Sequence, residues 1–230
     1  MKQTKAKRIT ALLLAMTVTV AGLCACGSGK NGKSRGSVSP GDVSSEALRS
    51  DKAFSEMSEE ELQPYIQAAM DAVEAYDRAR ISDKQDFPSL GLATSERCGE
   101  YLRLRFAFDT VGNLTVNTRE YVSGDYHVWK YRVVKERLVC YVNSDIQYHY
   151  RDVNVDAGEG ECTQVVMENP QSPVIVDWYN AEPPSFDTQM RNYGLNMTIP
   201  SNWLENYDME EIRAKAKQIT EQAKEAMEKE

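Results

Sequence analysis

The run Tyr126-His127-Val128-Trp129-Lys130-Tyr131-Arg132-Val133-Val134, the charged bend Lys135-Glu136-Arg137 and the run that starts Leu138-Val139-Cys140-Tyr141-Val142 decide the fold. Aromatic and β-branched residues alternate with polar ones along the first run, the period-two pattern of a strand with two unlike faces. One of those faces is expected to hold His127, Trp129, Tyr131 and Val133. The second run continues as a long strand to Arg151 and carries Cys140, Val142, Ile146, Tyr148 and Tyr150. Upstream, Val111 to Val122 starts the sheet and Ser123-Gly124-Asp125 reads as a turn. Downstream, Asp156-Ala157-Gly158-Glu159-Gly160 reads as a turn, Cys162 to Met167 as a strand, Asn169 to Pro173 as a turn and Val174 to Tyr179 as the last strand. Consecutive strands joined by short turns make an antiparallel meander, and such a sheet needs one face covered.

A helix supplies the cover. Ser58-Glu59-Glu60-Glu61 is a capping box, with acids in the first turn where the helix dipole favours them. Leu62, Ile66, Ala69, Met70, Val73 and Tyr76 then recur at helical spacing, which predicts a helix to about Ile81. Asp83 to Thr94, with Pro88 and Gly91, reads as a loop. The segment 95–110 has two readings. Leu102, Leu104, Phe106 and Phe108 alternate as in a strand, whereas Ser95 as N-cap with Cys98, Tyr101, Leu102, Arg105 and Phe106 suits a helix. Near the end, Asp208 with Glu211 is a second capping box, opening a helix with the narrow stripe Ile212, Ala216, Ile219, Ala223 and Ala226. That stripe predicts a mostly solvated helix, with docking onto the domain or onto a partner helix as the alternative. The fold class is α+β: an N-terminal helix or helices packed on a curved meander sheet, with a C-terminal helix.

The order of these pieces carries a resemblance. A helix ending in Asp71-Ala72-Val73-Glu74-Ala75-Tyr76, then Asp86-Phe87, then several strands resembles the cone-shaped nuclear transport factor 2-like fold. Gly158-Glu159-Gly160-Glu161, Val174-Ile175-Val176-Asp177-Trp178-Tyr179 and Ser185-Phe186-Asp187 are similar to the domain that precedes putative amidase domains in exported proteins of Firmicutes. The likeness spans roughly residues 60–190 and implies a second helix over 95–110. It implies no hydrolase, because only about forty residues follow Asp187 and an amidase domain needs well over a hundred.

The first residues set the address. Lys2, Lys5, Lys7 and Arg8 precede an apolar core from Ile9 to Val20, closed by Leu23-Cys24-Ala25-Cys26. The core is shorter than the roughly twenty residues that span hydrocarbon. The ending resembles the lipobox of bacterial lipoprotein precursors, which implies cleavage before Cys26 and a diacylglyceryl group on its thiol. Cys24 at the middle position departs from that pattern. The expected organisation is a signal peptide over 1–25, a flexible Gly/Ser-rich tether over 26–55, the α+β domain over 56–190, and a linker with the C-terminal helix over 191–230. The chain would sit on the outer face of the cell membrane, held by lipid on Cys26.

The formal charge is −8, and the leader holds four positive charges and no acid, so its removal leaves −12. An acidic chain is a poor partner for nucleic acid. Cys98, Cys140 and Cys162 have no CxxC spacing and no histidine cluster beside them, so no metal or other cofactor is implied. They permit one disulfide, or three buried thiols. His127 and His149, the only histidines, read as surface or satisfied core residues rather than a catalytic pair. Trp129, Tyr131, Tyr148 and Tyr150 are candidate pocket-lining residues if the concave face is hollow, and core otherwise. Three functions follow: a non-catalytic module binding a protein or cell-wall partner, a small-solute-binding lipoprotein with an aromatic pocket, or a cone-fold enzyme using a buried acid beside Tyr148 or Tyr131. A filled interior favours the first, a roomy aromatic cavity the second, and a cavity with a buried carboxylate of raised pKa the third.

Overall fold

The computed structural model describes residues 48–82, 86–111, 119–182, 185–191 and 196–228. The leader, Cys26 and most of the expected tether lie outside the described residues. Helix α1 spans Glu59–Ile81 and begins with the expected box: Ser58 Oγ accepts the Glu61 N–H, and Glu61 returns the bond to the Ser58 N–H at 2.8 Å. Its stripe Leu62, Tyr65, Ile66, Ala69, Ala72, Val73 and Tyr76 is buried. Alanines at the contact bring the helix close to the sheet. Strand β1 is the short pair Ala93–Thr94. Helix α2 spans Glu96–Asp109, capped by Ser95 Oγ on the Cys98 N–H at 3.2 Å. The helical reading of 95–110 therefore holds, and the alternation of Leu102, Leu104, Phe106 and Phe108 is incidental. Gly99 lets α2 lie on β1, since a Cβ there would sit 2.6 Å from Thr94 Oγ1.

The sheet has five strands in the order β1-β5-β4-β3-β2, with β2 at Arg119–Val134, β3 at Arg137–Tyr150, β4 at Val155–Glu168 and β5 at Val174–Asn180. Strands β2 to β5 form the antiparallel meander, and β1 adds to β5 in parallel, so the sheet is mixed. Lys135 and Glu136 both take positive φ, 47° and 62°, the left-handed pair that a two-residue hairpin requires.

Two expected turns are strand interior. Ser123-Gly124-Asp125 runs through β2, and Asp156 to Gly160 runs through β4 opposite Asp145 to His149. Alternation explains the second: Gly158 and Gly160 face outward while Glu159 and Glu161 face inward, so glycine here marks one face of a strand. The true β3–β4 turn is Arg151 to Asn154. Strand β2 also shifts register between Tyr121 and Ser123 and between Val128 and Lys130. Trp129 is the extra residue of the second bulge, which parts it from Tyr131.

Leu138, Cys140, Val142, Val165, Met167, Ile175 and Trp178 on the inner face pack against α1 and α2. The outer face is covered too. Val139, Tyr141, Val166 and Tyr179 lie under Met197 and Trp203, from the segment read as a linker. Trp203 Nε1 donates to the Met197 carbonyl at 2.7 Å, which fixes the segment's fold over the sheet. Helix α3, Phe186–Arg191, and helix α4, Met209–Glu228, complete the domain. Asp208 caps α4 through the Glu210 N–H at 2.8 Å. Met209, Ile212 and Ala216 are buried, so the first half of α4 is docked rather than solvated. The folded part also begins earlier than expected, with Leu48 and Phe54 each only 1% exposed.

Candidate functional site

The interior between α1, α2 and the sheet is charged. An i,i+3 step on α1 puts Asp77 beside Arg80, with Arg80 Nε on Asp77 Oδ1 at 2.8 Å. Arg80 Nη2 reaches across to β4, meeting Glu159 Oε1 at 2.7 Å and Glu161 Oε1 at 2.9 Å. Asn180 of β5 donates to Glu161 Oε2 at 2.6 Å. Deeper in, Arg105 of α2 meets Asp109 at 3.2 Å and Asp187 of α3 at 3.0 Å. Asp187 also accepts from Tyr101 Oη at 2.5 Å and from the Asn180 N–H at 2.7 Å. Nearest the outer face, Arg191 meets Asp177 at 2.8 Å, and Asp177 accepts the Trp178 and Leu204 N–H groups at 2.6 Å each.

These contacts give the resemblance motifs their role. Asp177 of Val174 to Tyr179 pins Arg191 and, through the Leu204 N–H, the end of the covering segment. Asp187 of Phe186-Asp187 ties α2, α3 and β5 together. Both are structural acids with every oxygen engaged.

The Arg80 cluster is different. Burial raises the pKa of Glu161 to about 8, with the Asp77 and Glu159 carboxylates pushing the same way and Arg80 opposing them. Burial raises Asp77 as well, again against Arg80. Asp77 Oδ2 and Ser144 Oγ are buried without a hydrogen-bond partner. Ser144 stands directly across from Glu161 in the register, so its hydroxyl and the carboxylates share one face. Tyr148, 7% exposed, lies on the same face, its phenol pushed above the ordinary value by burial, Tyr150 and Glu159. The acid beside Tyr148 that sequence reasoning did not place is thus Glu159. A signal for Arg80 and Arg105 did exist: each sits at helical spacing within a buried apolar stripe, after Tyr76 and Tyr101.

The structure divides the aromatic set. Tyr148 and Tyr150 stack edge to face, 5.3 Å between centroids, at one end of the inner face. Tyr131 is further along that face opposite Cys140. Trp129 is on the outer face, half exposed, against Tyr141 at 5.5 Å, with Nε1–H on Cys162 Sγ at 3.4 Å. The four do not line one pocket. His127 pairs with Asn143 across the outer face, and His149, six positions further along β3, places Nδ1 2.7 Å from Asp156 directly across on β4. Cys98, Cys140 and Cys162 are not joined in disulfides, and burial pushes Cys140 up to about 12. A separate open cleft of about 570 Å³ lies outside this interior, lined by Ala75, Arg78, Ala79, Phe87, Pro88 and Tyr121 among others. Among the described residues no group of histidine, cysteine and acidic side chains is disposed to hold a metal ion, and no helix is long and apolar enough to cross a membrane. Comparison with known proteins finds no matching family profile, no matching curated protein and no matching solved structure.

Proposed function

We propose that the chain is a lipoprotein on the outer face of the cell membrane, anchored through Cys26, whose α+β domain is a non-catalytic module for a protein or cell-wall partner. The observation that carries this reading is the state of the interior. Arg80, Arg105 and Arg191 are buried, and between them they bind carboxylates from two helices and two strands as well as α3. Acids whose every oxygen is engaged, as in Asp177 and Asp187, serve the scaffold, so recognition falls to the groups that reach the surface. An acid–base role for Glu161 is disfavoured because Arg80 and Asn180 engage both of its oxygens. The small-solute reading draws on the cleft beside Phe87 and Tyr121, whose volume lies in the range of ligand sites.

Crosslinking in intact cells tests the proposal. The full chain is expected to give one defined adduct that disappears when Cys26→Ala removes the anchor. Adducts that persist unchanged in Cys26→Ala, or none at all, would overturn it.

A further inference from the structure

We propose that the mouth of the charged interior, bounded by Glu159, Glu161 and Glu182, is a binding site for a primary ammonium group. The inference rests on the interior geometry and is independent of how the chain is anchored. Asp77, Glu159 and Glu161 surround the guanidinium of Arg80, and Arg105 behind it is engaged by Asp109 and Asp187, so carboxyl groups outnumber guanidinium groups here. The surplus is reachable. The side chains of Glu159 and Glu161 keep 26% and 16% of their accessible surface, and the exposed Glu182 lies within the field of Glu159.

Two buried polar atoms beside these acids lack partners. Ser144, 1% exposed, presents Oγ on the face it shares with Glu161, and Asp77, 2% exposed, leaves Oδ2 unbonded. A carboxylate oxygen can only accept, and a serine hydroxyl can accept as well. A group that satisfied both atoms would bring hydrogen-bond donors and positive charge. An ammonium group fits both needs, since it is compact and has three rotatable donors and no acceptor. An anion is excluded by the charge. A metal ion is disfavoured because the carboxylates are spread around the Arg80 guanidinium, and among the described residues no such group converges on a metal position.

Protons compete for the same place. Facing Glu161 are Asp77 and Arg80 of α1, Arg105 of α2, Glu159 of its own strand and Asn180 of β5. With its pKa pushed up to about 8 by burial, Glu161 has a proton to lose near neutrality. Binding of a cation displaces that proton, so affinity rises with pH.

The test is calorimetric titration of the full chain with n-butylammonium chloride and with the peptide acetyl-Gly-Lys-Gly-amide, with n-butanol as the neutral control. Butylammonium is expected to bind saturably, with affinity about tenfold weaker in Glu159→Gln and several-fold tighter at about pH 8.5 than at about pH 6.5. Peptide binding tighter than butylammonium identifies a lysine side chain as the source, and binding of butylammonium alone identifies a free amine. No saturation by either cation at tens of millimolar overturns the site. So does an affinity that neither Glu159→Gln nor Glu182→Gln changes, or n-butanol binding as tightly as the amine.

Discussion

Glu161→Gln isolates the charged interior from the rest of the fold. Gln keeps the side chain's size and an acceptor for Asn180, and it removes the titration. The pKa of Glu161 rises from an ordinary 4.5 to about 8 on folding. A carboxyl whose folded value is raised binds its proton more tightly in the native state. Its contribution to stability is therefore complete below about pH 4.5 and is lost as pH climbs through about 8. At 1.36 kcal/mol for each tenfold change, the full excursion is at most about 5 kcal/mol. Relaxation around the ionised group brings the expected loss to roughly 2–4 kcal/mol. For a domain of this size that corresponds to about 5–15 °C in melting temperature.

The assay is thermal or urea unfolding of wild type and Glu161→Gln across about pH 5 to 9. Subtracting one curve from the other removes every group common to both. The variant should match or fall below wild type at the acid end and exceed it at the alkaline end. Parallel curves would refute the assignment, for Glu161 would then titrate alike in the folded and unfolded chain.

Further outcomes follow from the same contacts. Asp187→Ala leaves Arg105, Tyr101 Oη and the Asn180 N–H without their buried acceptor, and urea unfolding should register a loss of about 3–5 kcal/mol. Arg213→Ala breaks only the exposed ion pair with Glu100, so the same measurement should leave the unfolding midpoint unchanged. Replacing Lys135-Glu136 by Asn-Gly relieves two left-handed residues and should raise stability by about 1–2 kcal/mol. Alkylation of the native chain, mapped by peptide mass, should modify Cys162 well before the buried Cys98 and Cys140, which should react only on unfolding.

Local signals were the legible ones. The Ser58 box and the periodic stripe of α1 depend on neighbours three and four residues apart, and both appear where the sequence places them. The α+β class followed from the strand alternation of Tyr126 to Val134 and Leu138 onward. What misled was chemistry whose meaning depends on a distant partner. Glycines in Gly158-Glu159-Gly160-Glu161 suggested a turn, yet they occupy the outward positions of a strand whose acids answer Arg80. A bulge at Trp129 puts that residue on the face opposite Tyr131, Tyr148 and Tyr150, and bulges leave little trace in one strand's pattern. Leu48, Phe54, Met197 and Trp203 looked like isolated apolar residues in polar stretches, because the surfaces they cover belong to other parts of the chain. The motifs of Asp177 and Asp187 marked positions that matter, but only the arginines facing them reveal that the role is structural.

Every functional statement about partners assumes that this domain is displayed outside the cell. Metabolic labelling with an alkyne palmitate, followed by fractionation, tests that directly. The account predicts labelled protein in the membrane fraction and loss of both label and membrane association in Cys26→Ala. Unlabelled protein in the cytosol with its leader intact, or label that survives Cys26→Ala, would contradict it.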